Sequence, residues 1–454
     1  MNKNKFTNLI SAIFIGSFIP VIANATLSEN ELNKLSSSLT PMGAERAGNI
    51  EGTIPPWDGG IKKALSNWPN DKNERSSHFD KDSILFSIES SNYKKFEERL
   101  TPGTIALLNA YPDHFKLNIY PSRRSAAFPE TLYRAIKENA PIAELTKQGS
   151  IKNVWGSIPF PIPKNGIQVI WNHLLRYQGS SRQFNGNENI VFNNGSRQDW
   201  FFESVAESPF YDPNASESDK EDGIFLKQAI TITKPSRDSG EGYLAIDALN
   251  MSEQPRKAWT YDPGERRVRR APNLAFDTPD RSLNVIDDFE VFSGSPEKYD
   301  WKLLGKKEIY IPYNNNKLNS PLNMLDDVLG KNYLNYELIR YELHRVWVVE
   351  GTVKQGARHI YAKRVQYIDE DTWNIIASDK YDSNGELWRV SFSYPVVASE
   401  IPLTAGGVYT NVDLKMGGYY ISGLPAEGVG YLFNGENMPN ASYFSPAALR
   451  RRGK

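Results

Sequence analysis

Apolar side chains follow two rhythms along this chain, and the rhythm changes near residue 180. Ile167, Ile170, Trp171, Leu174 and Leu175 recur at i, i+3, i+4, i+7 and i+8, the spacing that lays one apolar stripe along an α-helix. Asn165-Gly166 leads into that helix and Gly179 ends it. Two more helices are predicted upstream. Thr101 caps and Pro102 opens one over 103–110, because proline is tolerated at a first helical position, where its missing N–H is not needed. Pro129 opens another through Leu132 and Ile136, kinked or restarted at Pro141. Residues 26–80 hold Gly, Pro and Asn throughout and read as an extended arm laid on a surface.

Beyond residue 180 the period becomes two. Strands are predicted over 182–192, 199–208, 224–233, 243–249, 257–261, 289–292, 302–311, 337–351, 360–368, 374–381, 387–394 and 413–421. Short turns separate them: Asp262-Pro263-Gly264, Lys354-Gln355-Gly356, Asp369-Glu370-Asp371 and Asp382-Ser383-Asn384-Gly385. Runs joined by turns this short pair antiparallel. No strand–helix–strand alternation is present, which argues against a parallel sheet. A long meander must curl to bury one face. The expected fold is therefore mainly β (α+β): a large curved antiparallel sheet or half-barrel over 181–454, with the helices of 81–180 as a lid over its open side. Residues 26–454 are expected to form one compact domain.

The first 25 residues stand apart. Lys3 and Lys5 precede an apolar run from Leu9 to Ile22, and Ala23-Asn24-Ala25 supplies the small residues a signal peptidase reads. The run falls short of the roughly 20 apolar residues that span a bilayer. Cleavage is expected after Ala25, leaving an exported, periplasmic protein with no membrane-spanning segment. Cys is absent from the sequence, which removes disulfides, a thiolate nucleophile and a lipid-modified cysteine. The balance of 53 basic and 54 acidic residues gives a net charge of −1 and no reason to expect a nucleic-acid partner. Aromatic residues make up 12% of the chain, with 23 Tyr and 10 Trp. That excess fits a β-rich fold or an apolar groove lined with rings.

Motifs of familiar chemistry are missing. The sequence has no Gly-x-Ser-x-Gly elbow, zinc-binding His-Glu-x-x-His, phosphate loop or dinucleotide fingerprint. His344 and His359 fall in adjacent predicted strands, but a turn centred at 355–356 places residue 367 opposite His344 and residue 352 opposite His359. Their rings are then apart, and no shared metal site is expected. His173 lies on the flank of its helix and is expected at a boundary or exposed. The acidic stretch 212–223 lacks the Gly and Glu positions of a helix–loop–helix calcium site and reads as a solvated loop. Asp287-Asp288 and Asp326-Asp327 are adjacent pairs that would point to opposite faces of a strand. Neither a catalytic residue nor a cofactor is expected. Two segments look built for more than packing. Phe160-Pro161-Ile162-Pro163 is a stiff apolar loop suited to a lid edge. Arg266-Arg267-Val268-Arg269-Arg270 could direct half its guanidinium groups at an anionic headgroup or acidic partner.

Several long stretches resemble a known family: residues 39–49, 158–166, 171–177, 258–272, 299–303 and 344–350. It is a domain-of-unknown-function family of periplasmic proteins from Gram-negative bacteria, often labelled outer-membrane lipoprotein-sorting proteins. The resemblance covers nearly the whole mature chain and implies a fold similar to the lipoprotein carriers LolA and LolB, a curved sheet with a helical lid and an apolar concavity. It also implies work beside an envelope exporter or outer-membrane protein. Together these readings predict a non-enzymatic binding or carrier protein for a lipid, acyl chain or lipoprotein anchor. Phe160, Ile162, Ile170, Trp171 and Leu174 are the expected lid or cavity residues, with Trp259, Tyr261, Trp347 and Trp388 on strands. Arg267 and Arg269 are the expected headgroup or partner contacts. The alternatives are an assembly factor of an envelope complex without a small ligand and, less favoured, a glycan or lipid hydrolase.

Overall fold

Sixteen strands hydrogen-bond into one open sheet. The computed structural model describes residues 27–64, 74–75, 77–271, 277–425, 428, 430–435 and 438–453; the expected signal segment and its cleavage site lie outside them. Two short strands come first, β1 (Phe86–Ile88) and β2 (Leu117–Ile119). A first meander follows as β3 (Ser181–Phe192), β4 (Arg197–Glu207), β5 (Ile224–Lys234), β6 (Gly242–Ala248), β7 (Lys257–Asp262) and β8 (Arg267–Arg270). A second contains β9 (Tyr299–Pro312), β10 (Tyr341–Val353), β11 (Lys363–Asp369), β12 (Ile375–Tyr381), β13 (Leu387–Ala398), β14 (Leu403–Asp413) and β15 (Gly418–Pro425). The two-residue β16 (Leu432–Phe433) pairs with β3, and β9 pairs with β10. All these pairings are antiparallel except the single parallel contact of Ile119 with Tyr341.

The meanders are fused edge to edge, β15 lying against β3 with Tyr420 opposite Ile190 and Ser422 opposite Glu188. Nothing local in the chain announces this pairing, which joins residues more than 200 positions apart. The second meander is covered on both faces. On one side α1 (Pro102–Ala110), Phe115, Tyr333 and Tyr341 pack on Val346, Val348, Ile376, Val390 and Phe392. On the other, α2 (Glu130–Asn139) and α3 (Gly166–Leu174) bring Leu132, Ile136, Val169 and Ile170 against Val349, Ile368, Trp373, Ile375 and Val396. A strand buried on both faces loses its polar alternation. That is why β14, reading Leu-Thr-Ala-Gly-Gly-Val-Tyr-Thr-Asn-Val-Asp, is buried at every residue and was not expected from the sequence. Its Gly407 has a structural reason: a Cβ there would sit 2.3 Å from Asn319 Oδ1.

Two further expectations are corrected. The strand predicted over 289–292 is instead a 3-10 segment, Ile286–Val291, broken by non-helical backbone at Phe289 and Glu290. The hairpin of β10 and β11 pairs Val348 with Tyr367 and Thr352 with Lys363, so Tyr367 does not face His344. The loop after β10 is wider than a tight turn at 355–356, and the whole ladder shifts. The two rings still do not meet; His344 Nε2 lies 3.0 Å from Glu342 and His359 Nε2 lies 3.1 Å from Asp287.

Helix α1 docks through its N-terminus. Thr101 caps it by accepting from Thr104 N at 3.0 Å. The next free amide, Gly103 N, donates to Asp379 Oδ1 on β12 at 3.1 Å, and Tyr367 Oη donates to Asp379 Oδ2 at 3.1 Å. Among the described residues no cation pairs with Asp379, and burial pushes its carboxyl up to about 7. The N-terminal segment begins with a short capped helix, Glu29–Lys34, and continues along the sheet. Met42 O accepts from Trp373 Nε1 at 3.0 Å. Gly43 follows with φ +92°, and a Cβ there would lie 1.8 Å from Pro161 O.

Gly43→Ala is expected to cost more than about 1 kcal/mol, since the residue is both left-handed and in backbone contact. A thermal melt equal to wild type would show that the arm does not dock in this way. For Asp379 the sign follows from linkage: its folded carboxyl holds a proton to about pH 7, while the unfolded one releases it near the ordinary value of 3.8. Its contribution therefore weakens stability as pH rises between those values. Asp379→Asn should flatten the decline of melting temperature from pH 4 to 7; an unchanged slope would count against a protonated Asp379.

Candidate ligand-binding cavity

On one face of the first meander the C-terminal helix Pro446–Arg452 packs on β6, β7 and β8, and the other face lines a cavity. Register fixes its walls. Arg182 is opposite Ala206, Phe184 opposite Ser204 and Gly186 opposite Phe202. Continuing across, Ala206 faces Gln228, Ser204 faces Ile230 and Phe202 faces Ile232, and Ile230 faces Tyr243. Tyr409 of β14 and Tyr420 and Ser422 of β15 extend the same surface. The space between these side chains is about 1500 Å³, its mouth included. A side pocket of about 470 Å³ runs on between Phe184, Phe289, Gly423 and Tyr431. Gly186 makes room there, because its Cβ would meet the Phe184 ring at 2.2 Å. That ring stacks on Tyr431 with centroids 3.7 Å apart.

The roof has two parts. One is the chain leaving α3, from Leu174 through Arg182; the other is the loop from Asp280 to Ser293. Within that loop Glu290 has φ +49° and Val291 has φ +72°. The second value is strained for a β-branched residue and persists only where the surroundings impose it. The imposing force is ionic. Asp287 accepts from Arg364 at 3.1 Å and from Tyr299 Oη at 3.3 Å, and pairs with His359. Asp288 accepts from Lys380 Nζ at 2.5 Å, Tyr361 Oη at 2.7 Å and Asn411 Nδ2 at 3.1 Å. The adjacent carboxylates thus enter one buried cluster instead of opposite strand faces, since they sit on a 3-10 turn. Arg364 lies among the rings of Phe292, Tyr299 and Tyr361, about 5 Å from each centroid. Burial lowers Lys380 to about 8 despite Asp288, whereas Asp287 is held well below the carboxylate range because Arg364 and His359 outweigh its own burial.

Charges at the cavity rim are paired. Glu290 bridges Arg176 and Arg182, the latter at 2.8 Å, and accepts from Gln178 at 3.0 Å. Burial opposes its ionisation, but the two guanidinium groups hold it well below the usual range. Arg256 grips Asp247 with two bonds of 2.7 and 2.9 Å and donates to Ser293 O at 3.1 Å, latching the loop to β6. Glu188 pairs with Arg281 at 2.7 Å and accepts from Tyr420 Oη at 2.8 Å. Asp280 beside them is pushed up to about 7, first by burial and then by Glu188, so near neutrality it can donate a hydrogen bond. Among the described residues lining the cavity, none is His, Lys or Cys. The lining serines therefore have no imidazole partner within it.

The residues expected from sequence are dispersed. Leu174 lines the cavity. Phe160 and Trp171 lie one layer behind, in a buried cluster with the lining residues Leu175, Phe210 and Phe225; Trp171 Nε1 donates to Gly149 O at 2.7 Å. Ile170 is fully buried and Ile162 half-buried in the core between α3 and β10. Trp259 and Tyr261 pair with Leu244 and Gly242 on the opposite face of β6, under the C-terminal helix Pro446–Arg452. Trp347 stacks on Trp373 at 6.3 Å. Trp388 donates to Asp413 at 3.0 Å beside the ionic cluster. Arg267 and Arg269 are exposed on β8, where Arg269 pairs with Glu265. His173, expected at a boundary, is 1% exposed. It is wedged between Trp373 O and Phe292 O at 3.1 Å each, and burial followed by Arg176 lowers its pKa well below the ordinary value. Arg176, Arg182 and Glu290 gave no sequence signal, because charges that meet across distant segments carry no local pattern.

An uncharacterized protein of Pseudomonas aeruginosa is 39% identical over 438 residues, covering 94% of each chain. Among solved structures, a DUF1329 family protein from Desulfovibrio piger is similar at 18% identity and TM-score 0.41, over 60% of this chain and 92% of that one. A provisionally named outer membrane lipoprotein-sorting protein domain from Vibrio parahaemolyticus is similar at 14% identity and TM-score 0.44, over 63% and 98%. The family model described as protein of unknown function (DUF1329) matches residues 87–450, and the chain belongs to that family.

Proposed function

We propose that this protein is a non-enzymatic periplasmic carrier that holds a lipid, acyl chain or lipoprotein anchor in the cavity of its first meander. The observation that carries this reading is the cavity itself, a space under the roof loop walled mainly by apolar side chains, the lining expected of a site for an apolar ligand. Its walls are Phe202, Ile230, Ile232, Tyr243, Phe289 and Tyr409, with fixed polar groups at the rim. Each methylene buried there stabilises the complex by about 0.8 kcal/mol. The paired rim charges leave little net field, which favours a ligand with a compact polar head over a strongly charged one. Release would come by handing the chain to a better-fitting groove on an exporter or outer-membrane protein.

Native mass spectrometry with solvent extraction, and titration with a fluorescent acyl probe, test the reading. Wild type should retain or take up a lipid. Ala245→Trp, which fills the cavity from β6, should weaken probe binding at least about tenfold with the sheet intact by circular dichroism. A clean apo mass with no uptake would instead support an assembly factor without a small ligand. Glu290→Gln should speed probe release and cost about 3 kcal/mol of stability, because it leaves Arg176 and Arg182 without their shared counter-charge. Release at the wild-type rate would show that the loop is not the gate.

A further inference from the structure

The displaced register of the β10–β11 hairpin has a chemical result on the face away from the cavity roof. It brings His344 beside the tight turn after β11, where one donor atom from each of His344, Asp369 and Asp371 lies within 4.8 Å of the others, all three residues buried. His344 Nε2 is engaged by Glu342 Oε2 at 3.0 Å, and its ring is stacked on Tyr313 at 3.9 Å. Nδ1 is the nitrogen left over. Asp369 Oδ2 accepts from Thr372 at 2.6 Å and Tyr313 at 3.4 Å. Its other oxygen, Oδ1, is fully buried and accepts from nothing, an arrangement that costs about 1–3 kcal/mol or more when left unmet. Among the described residues, Arg340 pairs with Glu342 and Asp82, and Lys306 and Arg345 pair with Glu370. Arg124 grips Asp371 itself, at 2.6 and 2.9 Å, and so holds that carboxylate in place.

We propose that this cluster binds one divalent transition-metal ion of the zinc class through His344 Nδ1, Asp369 Oδ1 and an oxygen of Asp371. One imidazole and two carboxylates form a donor set that suits Zn²⁺. Glu342 on the far nitrogen supplies the carboxylate–histidine contact that fixes a ligating ring. The three ligating residues are buried and none lines the cavity, so the role is structural. The ion joins β10 to the turn after β11, and through Asp371 to Arg124, which donates at 3.4 Å to Arg46 O of the N-terminal arm. A site this buried fills as the chain folds, and its binding energy becomes folding energy.

The test uses protein expressed from the full 454-residue sequence and purified without chelator. Elemental analysis should find about one zinc per chain, and refolding with EDTA should lower the melting temperature. Refolding with Co²⁺ should give the visible absorption of a nitrogen- and oxygen-ligated ion, a readout that needs no variant. His344→Gln and Asp369→Asn should each weaken metal binding at least about tenfold. Absence of zinc, together with a Co²⁺-refolded wild type lacking that absorption, would overturn the proposal. So would full metal retention in both variants, which would place the ion elsewhere.

Discussion

The cavity depends on four charges that never reach water. Asp287 and Asp288 on one loop, and Arg364 and Lys380 on β11 and β12, are all essentially unexposed. Burying them costs several kcal/mol per ion, and their attraction offsets this only with good geometry and further hydrogen bonds. Those bonds are supplied by Tyr299, Tyr361 and Asn411. The cluster therefore adds little net stability. With Asp287 and Asp288 seated, the next residues are forced through positive φ at Glu290 and Val291, and Phe289 and Glu290 are delivered to the roof of the cavity.

The same loop divides the concave face in two. Over the second meander it fills the space with salt bridges and rings; over the first it stops short and leaves the space open. The boundary is Glu290, whose pairs with Arg176 and Arg182 close the roof against the segment leaving α3. Opening requires separating partly buried charges, whereas the apolar walls behind need not move. Under the proposed carrier function, a roof held by ion pairs over a wall held by hydrogen-bonded strands would let a ligand exchange without unfolding the sheet.

Legibility in the sequence tracked exposure. The first meander has a partly exposed face, so five of its six strands appeared as alternation and were placed within a residue or two, while the arginine strand β8 was not among the predicted strands. The second has both faces covered, and there β14 vanished into a continuous run containing Gly406-Gly407. His173 looked like a flank residue because helical spacing says nothing of what packs from other elements; Trp373 and Phe292 enclose it. Among the residues expected at the site, Leu174 lines the cavity. The aromatic residues singled out there were large and apolar, and such side chains fill cores as readily as they line ligand sites.

The sequence by itself determined that the chain is mostly antiparallel sheet with a few capped helices, and which family it belongs to. Those properties live in short-range periodicity, turn chemistry and contiguous motifs. The tertiary structure alone decided that β15 joins β3, that the β10–β11 ladder shifts toward its closing turn, and that Asp287 and Asp288 meet Arg364 and Lys380. The reason is physical: each of these is a pairing between distant segments, chosen by shape and by the cost of leaving a buried charge or strand edge unmet, and no local pattern records it.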